Sequence, residues 1–144
     1  MLCPDVNVLL YAFRRDSSDH ERYAHWLQDA MTGAEPVGVS ELVLSGVVRL
    51  ATNHRVYRQP SSTAEVLGFC IAVRSAPAAV PLRPGAKHWQ IFAQLCQATS
   101  ATANHVPDAY HAALALENGA TWITNDRGYA RYPNLRWRTP HDFS

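Results

Sequence analysis

Short apolar runs alternate with helix-period segments along the whole chain. Residues 2–5 predict a short strand ending at Asp5, and residues 7–14 a first short helix. Ser18-Asp-His-Glu21 has the spacing of a capping box and opens a helix through Met31, which Gly33 stops. Pro36–Val39 predicts a second strand, after which Ser40 caps a helix over about 41–53. Residues 54–60 read as a polar loop. Ser62-Thr-Ala-Glu65 repeats the capping-box spacing and starts a helix that reaches Arg74. Ala79–Leu82 predicts a third strand, confined to a sheet edge by Pro81, which has no N–H to donate. An amphipathic helix over 86–99 carries Trp89, Phe92, Leu95 and Cys96 at helical spacing. Pro107 suits the first position of a helix running to Asn118, and Gly119 closes it. Thr121–Thr124 predicts a fourth strand, 126–131 a short helical turn, and 135–138 a fifth strand.

Strands alternating with helices at this spacing imply βαβ units and a parallel sheet. A parallel sheet needs both faces covered, and the chain has helices enough. The expected fold class is therefore α/β: a three-layer α/β/α domain around a central parallel sheet of four to five strands. At 144 residues the chain suits a single domain, 1–144. In such folds the ligand site lies beyond the carboxyl ends of the strands, where the strand order reverses.

Composition removes several functions. With 47% hydrophobic and 17% charged residues the chain is not disordered. No apolar run reaches the ~18 residues that would suggest a membrane span. The N-terminus has neither a basic region nor a long apolar one, so a cytoplasmic location without a signal peptide is expected. A net charge of +1 excludes gripping nucleic acid by bulk charge. Cys3, Cys70 and Cys96 form no C-x-x-C and read as free, buried thiols of a reducing compartment. The seven histidines show no zinc-protease spacing; His105 and His111, near Asp108, read more readily as surface or packing residues than as ligands. Gly-rich phosphate loops and the serine-hydrolase elbow are absent.

The acids carry the chemistry. Asp5 closes strand one, Glu41 follows strand two, Asp126 follows strand four, and Asp108 lies in the first turn of the preceding helix. A parallel sheet can bring all four to one edge. Each also has an ordinary role open to it, as a helix cap or a partner of a helix dipole. Packed carboxylates repel, and one or more stays protonated unless a cation holds them. Magnesium is the natural cation, being hard, oxygen-seeking and content with one or two carboxylates plus water. Two such ions would suit hydrolysis of a phosphodiester.

Three stretches then resemble a known family. Asp5-Val-Asn7-Val-Leu-Leu-Tyr-Ala, Val106-Pro-Asp108-Ala-Tyr-His-Ala-Ala-Leu-Ala-Leu-Glu-Asn-Gly119-Ala, and Trp122-Ile-Thr124-Asn-Asp126-Arg-Gly-Tyr129 together are similar to the PIN domain. More narrowly, the chain resembles the VapC toxins of the VapBC toxin–antitoxin class over essentially its whole length. The resemblance implies a magnesium-dependent endoribonuclease (manganese able to substitute), cutting transfer or ribosomal RNA. It also implies a homodimer and a VapB-like antitoxin partner that blocks the acidic pocket. Asp5 and Asp108 match metal ligands, Asp126 matches the fourth acid, and Asn7 matches the polar residue that orients the first acid.

One position departs from the family. The second acid, a glutamate inside the helix after strand two, falls at Gly46 here. Glu41 lies five residues earlier, about 140° away around a helix, but nearer the strand end. Glu41 is expected to replace it. If it does not, the site has three acids, and a second metal is weakly held or supplied partly by the substrate. The missing acid at Gly46 also motivates an alternative from another class, a catalytically inactive PIN-like module that only binds RNA or antitoxin. A phosphatase or phospho-receiver is disfavoured because position 7 is asparagine and no adjacent acid pair exists; a DNA nuclease would want extra length to clamp a duplex. Arg127, Arg131, Arg136 and Arg138, interleaved with Tyr129, Tyr132 and Trp137, read either as a solvated rim around an edge strand with its aromatics in the core, or as a surround of the pocket that holds RNA, in which Arg127 binds substrate.

Overall fold

Leu2, Cys3 and Pro4 are all buried and form β1 (Leu2–Pro4), the middle strand of a five-stranded sheet in the computed structural model, which describes residues 1–143. The chain continues through α1 (Val6–Phe13), α2 (His20–Thr32), β2 (Val37–Ser40), α3 (Glu41–Ala51), α4 (Thr63–Arg74) and β3 (Ala79–Leu82). It then forms α5 (His88–Thr99), α6 (His105–Glu117), β4 (Thr121–Ile123) and β5 (Trp137–Arg138). Short 3-10 turns cover Arg127–Arg131 and Pro140–Phe143. The sheet order is β3-β2-β1-β4-β5 and every neighbouring pair is parallel. This is the expected three-layer α/β/α class, with β3 at an edge as Pro81 requires. Helices α1 and α2 pack together, α3 packs on α1 and α4, and α5 pairs with α6. Among the described residues no helix is long and apolar enough to cross a membrane.

The order reverses between β1 and β4. Their register pairs Cys3 with Trp122 and Pro4 with Ile123, so both strands end together. The Asp5 N–H continues the ladder by donating to the Ile123 carbonyl at 2.8 Å. That register sets Asp5 beside the residues following β4, across 119 positions of sequence. The core beneath is tightly closed: Val8, Leu9, Val37, Val43, Val47, Leu114, Trp122 and Ile123 are almost wholly buried.

Local signals succeed where no tertiary contact competes with them. Ser62 Oγ accepts from the Glu65 N–H at 3.1 Å and donates to its carboxylate at 3.0 Å, so Ser62 caps α4 as its spacing predicts, with the Glu65 carboxylate held by the serine hydroxyl. Gly119 takes φ +61° and closes α6. The first capping box does not form: α2 starts at His20, and Asp19, not Ser18, precedes it in a left-handed conformation with no side-chain cap. The reason lies upstream. Arg14 is nearly buried, grips Asp16 through Nε (3.0 Å) and Nη2 (2.7 Å), and also donates to the Gln59 carbonyl and Ser61 Oγ. That tertiary clamp, rather than serine capping, shapes the turn. Ser40 holds the N-cap position of α3 but likewise makes no capping bond. Helix α6 starts at His105, two residues before Pro107; the proline still sits in the first turn, where an N–H has no helical partner. Trp89 is 72% exposed rather than buried, because α5 packs on one side only, against α6.

Candidate active site

Asp5 unites two of the roles open to it. It is the N-cap of α1, with Oδ1 accepting from the Val6 N–H at 2.6 Å. Its other oxygen, Oδ2, accepts from Thr124 Oγ1 at 2.7 Å and from Asn7 Nδ2 at 3.2 Å. The carboxyl group is nearly buried. Burial pushes its pKa up to about 6; the bonds from Thr124 and Val6 oppose that rise, and the charges of Asp108 and Asp126 add to it.

Thr124 is fully buried just past β4 and its hydroxyl is saturated. It donates to Asp5 and accepts from Asn7 Nδ2 at 3.3 Å and from the Asp126 N–H at 3.0 Å. Asn7 completes the link by accepting from the Asn125 N–H at 3.3 Å. The hydrogen bonds of Asn7 thus go to the protein, tying the end of β1 to the loop after β4. Asp126 is exposed, and its Oδ1 accepts from the Gly128 N–H at 2.8 Å, capping the 3-10 turn.

Asp108 enters from the first turn of α6. Its Oδ1 accepts from the Tyr129 hydroxyl at 3.2 Å. Its Oδ2 faces His105 Nδ1 at 3.8 Å and Arg131 Nη1 at 4.0 Å, too far for hydrogen bonds. Burial raises its pKa, as does the charge of Asp126, against the opposing effects of Tyr129, Arg131 and His105. Asp5, Asp108 and Asp126 therefore share one electrostatic site at the switch between β1 and β4.

Glu41 does not join them. It is largely exposed, turned toward Arg74 at 3.7 Å and the groove between α3 and α4. The expectation that it replaces the second acid is corrected by this placement: as the first residue of α3 it leaves the helix on the side facing α4 and β3. The family slot itself is closed. A Cβ on Gly46 would stand 2.9 Å from Val6 Cγ2, so α3 approaches α1 too closely there for a side chain.

The aromatic ring of the expected RNA surround is also revised. Tyr129 and Tyr132 are buried and pack on each other, and Tyr129 also packs on Trp122, so they serve the core rather than stacking on bases. Arg136 donates to the Gly119 carbonyl, and Arg138 lies over the Phe143 ring at 3.8 Å. Arg127 is exposed at the start of the 3-10 turn beside Asp126, and Arg131 contacts His105 and faces Asp108. His111 is buried, stacked on Trp122 at 5.3 Å, and is a packing residue as expected. The three cysteines are free, and burial pushes the Cys3 thiol up to about 12.

Sequence reasoning missed Thr124 as part of the site, and gave Tyr129 and Arg131 only as members of an RNA-holding surround, not as groups that face Asp108. Thr124 had a signal, a polar residue at the end of an apolar strand; the role of the Tyr129 hydroxyl had none.

The donor set suits a hard cation. It consists of carboxylate oxygens that raise one another's proton affinity, with Asp108 Oδ2 free of any hydrogen bond. Among the described residues no group of three or more His, Cys, Asp or Glu side chains is placed to hold a metal ion, so these carboxylates would leave the remaining positions around a hard cation to water or phosphate oxygens.

A buried carboxylate at a β1/β4 switch, joined by acids from α6 and the β4 loop, defines the class, and comparison with known proteins agrees. Residues 2–135 match the PIN domain family. The chain is 46% identical over 142 residues to ribonuclease VapC43 of Mycobacterium tuberculosis, covering 99% of this chain and 97% of that one. It is 34% identical over 140 residues to ribonuclease VapC31 of the same organism, covering 97% and 99%. A crystal structure of VapBC2 from Rickettsia felis, bound to a DNA fragment from its promoter, has the same fold, with a TM-score of 0.68 at 18% identity over 96% of this chain and 97% of that one. The chain belongs to the PIN-domain family and, within it, to the VapC ribonucleases.

Proposed function

We propose that this chain is a magnesium-dependent endoribonuclease acting as the toxin of a toxin–antitoxin pair. The observation that carries the reading is Asp5: a carboxyl held nearly buried, with its pKa raised to about 6, beside Asp108 and Asp126. Such an arrangement is costly for an empty protein and is relieved by a bound cation.

Asp5 and Asp108 would hold the ion, with Asp126 completing the acidic rim. When bound, magnesium supplies the positive charge that draws a phosphodiester to this pocket and promotes ionisation of water there. The protein does the positioning. Thr124 and Asn7 fix the rotamer of Asp5, and the N-terminus of α6 favours the negative charge of Asp108. Arg127 and Arg131 offer cations to the phosphate backbone at the rim. The substrate is RNA, of the transfer or ribosomal class. A VapB-like antitoxin, in line with the VapBC2 complex, and a second copy of the chain are the expected partners.

The test is expression without antitoxin, with new RNA 5′ ends mapped across the transcriptome beside an Asp108→Ala control. Discrete 5′-phosphate ends, lost in the control, are expected. The closed slot at Gly46 favours one competing reading, an inactive RNA- or antitoxin-binding module. Absence of new ends, together with RNA binding insensitive to EDTA, would establish that reading instead.

A further inference from the structure

Tyr129 is 2% exposed, yet it carries a hydroxyl into the acidic site. Its ring is held from both sides, by Trp122 at 5.5 Å and Tyr132 at 5.6 Å. Trp122 is stacked in turn on His111 at 5.3 Å and 19°. The four rings form a rigid column running from α6 through β4 into the 3-10 turn that Asp126 caps. The ring alone would satisfy the packing, so the hydroxyl calls for a separate reason.

Its bond to Asp108 Oδ1 is that reason. Asp108 is the less buried of the two carboxylates and lies in the first turn of α6. The hydroxyl occupies one oxygen and leaves Oδ2 turned toward Arg131 and His105 without a hydrogen bond. Thr124 performs the same service for Asp5 from the end of β4. The two acids are thus each held by a neutral hydroxyl from the β4 segment, one at its end and one in the turn that follows.

We infer that Tyr129 is a positioning residue for Asp108, its hydroxyl selecting Oδ2 as the oxygen offered to a divalent cation. The inference rests on the magnesium reading above. Groups that orient a metal ligand are worth about 10- to 100-fold in metal affinity when removed.

The experiment is calorimetric titration of Mn²⁺ into the purified full-length chain, comparing native protein, Tyr129→Phe and Tyr132→Phe, with melting in EDTA recorded for each. Phenylalanine keeps the ring column and deletes only the hydroxyl. Tyr129→Phe is expected to weaken Mn²⁺ binding about tenfold or more, with its EDTA melting point close to native. The rate of RNA cleavage at saturating RNA should fall while KM stays unchanged. Tyr132→Phe removes a hydroxyl that donates to the His105 carbonyl instead, and should leave Mn²⁺ affinity unchanged. Native affinity in Tyr129→Phe, or equal weakening in both variants, overturns the assignment while leaving the metal reading intact. Failure of native protein to bind Mn²⁺ overturns both, whereas Mn²⁺ binding without RNA cleavage overturns the ribonuclease reading alone.

Discussion

Gly46 lies so close to Val6 that a Cβ would stand 2.9 Å from Val6 Cγ2. Val6 follows the N-cap Asp5, so this contact sets how α3 seats against the start of α1 and against the acid itself. Alanine at 46 gains up to about 1 kcal/mol in helix propensity, but a β-branched neighbour yields poorly and overpacking costs about 1–3 kcal/mol. Gly46→Ala should therefore destabilise the protein in a denaturant titration. In a Val6→Ala background the same substitution should stabilise it. Stabilisation by Gly46→Ala alone would show that the close approach is not needed.

Thr124→Val keeps the shape of the side chain and removes its hydroxyl. Asp5 Oδ2 loses its shortest bond, and the Asp126 N–H and Asn7 Nδ2 lose an acceptor. Buried polar groups left unpaired cost about 1–3 kcal/mol. The expected outcome is a loss of that size in unfolding free energy, with cleavage down about 10- to 100-fold. Thr124→Ser, which retains the hydroxyl, should keep most of the activity.

Glu41 separates the sequence expectation from the structure. Exposed, and 3.7 Å from a half-exposed Arg74, it makes the kind of surface ion pair worth about 0–1 kcal/mol. Glu41→Gln should leave RNA cleavage within about twofold of native, while Asp108→Ala abolishes it. A loss in Glu41→Gln comparable to that in Asp108→Ala would return Glu41 to the site.

His111 imposes a pH dependence on stability. Burial lowers its pKa from 6.5 to about 4, so the folded state binds its proton more weakly than the unfolded state does. Its contribution is fully present above pH 6.5 and is lost as pH falls toward 4. Asp5, with a raised pKa, titrates in the opposite sense, so the native profile alone blends the two. His111→Phe keeps a ring against Trp122 and removes the titration. In EDTA, native protein should lose up to roughly 3 kcal/mol relative to this variant between pH 7 and pH 4. A constant difference across that range would show that His111 does not titrate in isolation from solvent.

The sequence by itself determined the order of strands and helices, the edge position of β3, the Ser62 cap and the Gly119 stop. It also determined that Asp5, Asp108 and Asp126 stand where strands end or helices begin. These are consequences of side-chain period, backbone restriction and short-range hydrogen bonding, all readable within a few residues. Only the tertiary structure decided which acids meet. Asp5 finds Thr124 across 119 positions because β1 pairs with β4, a choice no local pattern encodes. Glu41 is adjacent to its strand yet leaves on the wrong side, since the direction of a helix's first residue depends on how the helix is seated. That seating is governed by the contact between Gly46 and Val6, which is invisible until two distant backbones are brought together.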